Sequence, residues 1–167
     1  MTLSMIFEWL ESTALAAVIQ ESAYGFPFVV GFHILGLTLS VGTLLWVDLR
    51  LLGLTLRGMR VSEVYRALAP WLAAGFVMMF ASGAVLFTAY ATLAYANLFF
   101  RIKMLALVLA ALNAVAFHFL GGRRPAAWDA APQPPAAVRI AGLASLLLWV
   151  TVIVAGRLMS YTMFSAP

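Results

Sequence analysis

Apolar residues run almost unbroken through four stretches of this chain, Phe28 to Val47, Trp71 to Tyr90, Leu98 to Leu120 and Val138 to Ser160. A helix rises about 1.5 Å per residue, so each stretch is long enough to cross the roughly 30 Å hydrocarbon layer of a bilayer. The pattern predicts four membrane-spanning helices. Ahead of them, residues 3–20 interleave apolar side chains with Glu8, Glu11 and Gln20. That mixture predicts an amphipathic helix lying in the interface. Ser22 to Pro27 then breaks the helix, because proline disfavours helix in the residue before it and suits a first helical turn.

The segments between the spans carry the punctuation. LRGMRVSEVYRALAP predicts a turn and a short surface helix that Pro70 separates from the second span, and GGRRPAAWDAAPQPP, with four of the seven prolines, reads as a linker. The expected architecture is an all-α membrane four-helix bundle with an N-terminal interfacial helix, one domain over residues 1–167. Composition agrees: 65% of residues are hydrophobic, 10% are charged and the mean hydropathy is +1.02. Soluble domains hold only about 45–50% apolar residues. There is no cysteine, which excludes disulfides, iron–sulfur clusters and thiolate zinc sites within the chain. The N-terminus has no basic region and bears two early glutamates, so no cleaved signal peptide is expected.

Charge sets the expected orientation. Arg50, Arg57, Arg60 and Arg66 flank the first loop, and Arg123, Arg124 and Arg139 flank the third, giving seven of the ten basic residues on one side. Lysine and arginine in short loops mark the cytoplasmic face. Both termini and the second loop are then expected in the periplasm, and the +4 net charge reports topology rather than a nucleic-acid partner.

Ionisable side chains inside apolar helices are costly and usually functional. His33 lies about 9 Å into the first span, counted from Pro27 at the helical rise. Gly36, Ser40 and Thr43 recur three and four residues on, a small and weakly polar stripe that places His33 on an interior face. Lys103 and Arg157 belong to the same leaflet by topology, with Glu21 and Tyr161 at the adjoining surface. Together these five residues are the candidate ligand site, suited to a quinone head group, haem propionates, another anion or a proton. Snorkelling to the interface is the plain alternative for Arg101 and Lys103. His118 lies near the far end of span three, about 20 Å deeper than His33, so one chain is not expected to clamp a haem between its two histidines. Asp48, Arg50, Asn113 and His118 form a second polar set, read as a structural interlock, as a second functional site or as the inner end of a proton path. Eight methionines raise copper, with His33, Met104 and Met159 as conceivable ligands, although methionine is also ordinary packing material. Nucleotide-binding loops and hydrolase elbows are absent.

The runs FPFVVGFHILGLTLSVGTLLWVDLRLLG, APW, FRIKMLALVLAALNAVAFH and LLLWVTVIVAGRLMSYT resemble a family of small uncharacterised bacterial inner-membrane proteins with four spans. The first span is also similar to the copper-resistance D-type and cytochrome b561-like membrane proteins, while departing from the paired histidines of the latter. The resemblance implies a bacterial inner-membrane location and leaves activity open. The leading expectation is a redox-associated membrane subunit that holds a quinone or a single haem b near the outer leaflet, beside a membrane or periplasmic redox partner. A small transporter or channel for copper, protons or a small anion is the second expectation, and a non-catalytic assembly or anchoring subunit the third; besides lipid, a second copy of the chain in a homo-oligomer is a candidate partner. Whether the chain is an enzyme is left open by its sequence.

Overall fold

A computed structural model describes residues 3–121 and 128–163, without side chains at 120 and 121. The described residues are all-helical: α1 (Leu3–Glu11), α2 (Ala14–Glu21), α3 (Gly25–Leu51), α4 (Val61–Ala89), α5 (Ala91–Ala96), α6 (Leu98–Ala116) followed by a π-helical turn (Phe117–Gly121), and α7 (Ala136–Thr162). Four of them, α3, α4, α6 with its following turn, and α7, are long and apolar enough to cross a membrane. The chain therefore folds as a multi-pass membrane bundle. Leu35, Val77, Leu105, Leu147 and many other large apolar side chains face outward, where lipid is the compatible surroundings.

The expected interfacial helix is two helices. Thr13 ends the first and caps the second, its hydroxyl accepting from the Ala16 amide, while the Ser12 hydroxyl bonds the Trp9 carbonyl. Both fold onto one end of the bundle. The Glu11 carboxylate accepts from the amide and hydroxyl of Thr92 at the start of α5, and the Gln20 side-chain amide donates to the carbonyl of Ala89.

Small residues set the helix spacing. A Cβ on Gly36 would stand 2.6 Å from the Met79 amide nitrogen, and one on Gly75 would collide with the Ser40 backbone. The α3 and α4 backbones are consequently in van der Waals contact, with Ser40 fully buried between them. Helix α6 packs on α7 through Ala106, Ala110, Trp149 and Val152, and Met79 and the Phe76–Trp149 ring contact join the two pairs.

Three boundaries differ from expectation. Pro70 lies inside a continuous α4 instead of dividing a surface helix from the span. Proline at this position forfeits one backbone hydrogen bond, to the Arg66 carbonyl, and one lost bond does not end a helix otherwise held by packing. Helix α3 continues past Val47 to Leu51, because Asp48 and Arg50 are buried there instead of turning to water. It ends at Gly53, whose φ of +72° closes the turn with amides 53 and 54 bonded to the carbonyls of Arg50 and Leu49. The third loop is not a free linker where it is described, in 128–135. Trp128 packs on the core beside Phe117, and Pro134 is buried. Arg123 and Arg124 lie outside the described residues.

Candidate functional site

Helix α3 carries His33 into the interior, where α4 receives it. The His33 Nδ1 lies 3.1 Å from the Ser82 hydroxyl, and a Cβ on Gly83 would sit 3.1 Å from the imidazole Cε1. Ser82 has one proton, which is directed at the Met78 carbonyl 2.5 Å away in its own helix. Its oxygen therefore accepts from His33 Nδ1–H. Neutral His33 is then the Nδ1–H tautomer. Its Nε2 lone pair remains available for a proton, a hydrogen-bond donor or a metal.

Lys103 approaches from α6. It lies within electrostatic reach of His33, and its Cδ and Nζ stand 3.9 Å from where a Cβ on Gly156 of α7 would be. Two glycines on two helices thus make room for the two ionisable groups. No hydrogen bond or ion pair is made by the ammonium among the described residues, although it lies one turn inside a span.

The other residues expected at this site are arranged differently. Arg157 follows Gly156 but turns outward, with Nη2 2.6 Å from the Tyr161 hydroxyl and its guanidinium 4.4 Å above the Tyr161 ring. Both side chains are exposed. Glu21 is exposed at the end of α2, away from any ion pair with Arg157. Met104 is exposed and Met159 is half-buried. The core of the expected site is therefore His33 and Lys103, with Ser82, Gly83 and Gly156 added. The run Ala81–Ser82–Gly83–Ala84 was the signal for the α4 part, since small residues in an apolar span mark close approach.

The second polar set separates into distinct contacts. Arg50 is wholly buried, and its Nε donates to the Met59 carbonyl at 2.9 Å while Nη2 donates to the Ala131 carbonyl at 3.0 Å. It ties the first loop to the third. Beside it the Asp129 carboxylate accepts from the Ser62 amide and hydroxyl, at 2.8 and 2.6 Å. Burial alone would push the Asp129 carboxyl up, but the two Ser62 bonds and the charges of Arg60 and Arg50 outweigh it and hold the group below its ordinary 3.8. Asp48 is buried with Ser145 of α7 near its carboxyl, Asn113 donates to the Ala141 carbonyl, and His118 is exposed on the π-helical turn. His33 and His118 are at opposite ends of the bundle: Lys103, beside His33, precedes His118 by 15 residues of helix, about 22 Å.

A family model described as a family of unknown function, DUF6644, matches residues 6–162. Neither the curated proteins nor the solved structures contain a match to this chain.

Proposed function

The chain belongs to the DUF6644 family, and from that starting point we propose that it is a redox-associated membrane subunit whose His33–Lys103 site receives a quinone head group. One observation carries the reading: an ammonium group inside a span, within electrostatic reach of a histidine, with no anionic or carbonyl partner among the described residues. An uncompensated cation inside a span is costly, roughly 2.5–3.5 kcal/mol for lysine or arginine at a helix centre and less one turn from the helix end, where Lys103 lies. A ligand that brings a carbonyl oxygen or negative charge lowers that cost. A quinone does so with one carbonyl while its apolar tail stays in lipid, and His33 Nε2 can take a proton when the reduced form is held.

The same lone pair supports a second reading, a single haem b with His33 as its one ligand from this chain and Lys103 at a propionate. Under the positive-inside rule the site lies in the outer leaflet of a bacterial inner membrane, with both termini in the periplasm and a membrane or periplasmic protein as electron partner. Detergent-purified protein distinguishes the readings. Organic extraction should yield quinone in near-stoichiometric amount, with no Soret band; a pyridine haemochrome would replace quinone by haem. A colourless and quinone-free preparation from membranes rich in both would reject the proposal in favour of transport or assembly.

A further inference from the structure

At the opposite end of the bundle, Asp48 is 2% exposed in the last turn of α3, and its Oδ2 has no hydrogen-bond partner. The Ser145 hydroxyl on α7 is near enough to influence the Asp48 carboxyl. Gly142, one turn earlier on α7, lets the helices touch, since a Cβ there would lie 3.2 Å from the Asp48 carbonyl oxygen and 3.0 Å from Leu51 Cβ. Among the described residues, no cation of the neighbouring elements makes an ion pair with Asp48. Arg50, two residues along α3, lies on another side of the helix, where Nε and Nη2 donate to the carbonyls of Met59 and Ala131 while the buried Nη1 has no hydrogen-bond partner among the described residues. Arg66 on α4, Arg139 on α7 and His118 after α6 are all exposed, and Asn113 of α6 gives its amide to Ala141.

A carboxyl enclosed in a membrane bundle is tolerated when an ion pair, a set of donors or a small bound cation compensates it. Among the described residues the first is absent and the second amounts to one serine hydroxyl. We propose that Asp48 and Ser145 form a binding site for a small monovalent cation, a proton or a sodium ion, at the α3–α7 interface. The carboxylate supplies the charge and Ser145 Oγ a second hard oxygen. In the proton case the O–H bond forms on the carboxyl and the proton is exchanged with water at this end of the bundle. This site is separate from the His33–Lys103 site and does not depend on what that site holds.

The test uses the full chain reconstituted in phosphatidylcholine and followed by infrared difference spectroscopy. Buffer is switched between two pH values in choline chloride, and separately between choline and sodium at fixed pH. One switch should produce a carboxyl difference band that Asp48→Asn removes and Ser145→Ala shifts. A response to pH alone identifies the proton, and a response to sodium identifies the metal ion. If neither switch gives a band that folded Asp48→Asn lacks, the proposal is overturned. Should Asp48→Asn not fold, Ser145→Ala decides, because it keeps the carboxyl; an unshifted band in that variant overturns the proposal equally.

Discussion

Gly83 is where a single added carbon should matter most. Its absent Cβ leaves 3.1 Å to the His33 imidazole, a gap that alanine would fill from a backbone position that cannot rotate away. Gly83→Ala should displace the ring from Ser82 and weaken ligand retention by about tenfold, an effect of about 1.4 kcal/mol, while circular dichroism stays that of the native helix bundle. Unchanged retention would separate His33 from the ligand. Asp129 offers a pH test in the loops. Its carboxyl is held below its unfolded-state value, so the unfolded chain binds more protons between the two values and stability rises with pH there. The contribution is complete above the ordinary carboxylate range and is lost as pH falls through the folded value. Thermal melts below pH 4 should therefore drop more steeply for wild type than for Asp129→Asn, and parallel curves would show that the Ser62 contact contributes nothing. These residues were unequally legible. His33 and Lys103 could be matched in depth by counting residues, whereas Ser82 and Asp129 act through partners 49 and 67 positions away in sequence, which no local pattern reveals.

Helices were the most legible features, because a run of about 18 or more apolar residues has few alternatives to a span. Their ends were less so. Polarity at Asp48 and Arg50 suggested that α3 had ended, and Pro70 suggested a break, yet in each case tertiary partners kept the helix going. The prolines of 132–135 suggested a linker, although Arg50 reaches into that loop and fixes it. Glycine roles depend on the same hidden information. Gly36 and Gly42 are both in α3, but a Cβ on Gly36 meets the α4 backbone at 2.6 Å, and one on Gly42 meets nothing within 4 Å. Gly36→Ala should lower the unfolding midpoint in detergent, at an overpacking cost of about 1–3 kcal/mol. Gly42→Ala should leave it unchanged or raise it, since alanine favours helix by up to about 1 kcal/mol. Equal effects would mean that α3 and α4 do not meet along the face described.

At the scale of the whole molecule, the bundle has two chemically different ends. One gathers Arg50, Asp129 and Ser62 under the first and third loops; the other gathers His33 and Lys103 beneath α1, α2 and α5. Because the chain lacks cysteine, single introduced thiols report sidedness cleanly. Gly58, exposed in the first loop, and Ala96, exposed at the end of α5, are suitable positions, while Ala94 is buried. In intact cells an impermeant thiol reagent should label Ala96→Cys and spare Gly58→Cys; the reverse would invert the bundle and put the proposed ligand site in the inner leaflet. The central claim is that Lys103 and His33 hold one head group between them, and its most direct measure is the quinone retained per protomer in wild type and in Lys103→Met, purified identically. A hydrogen bond to a charged group contributes about 1.5–3 kcal/mol. The variant, still folded, should thus retain at most about a tenth of the affinity, whereas equal quinone in wild type and Lys103→Met would contradict the account.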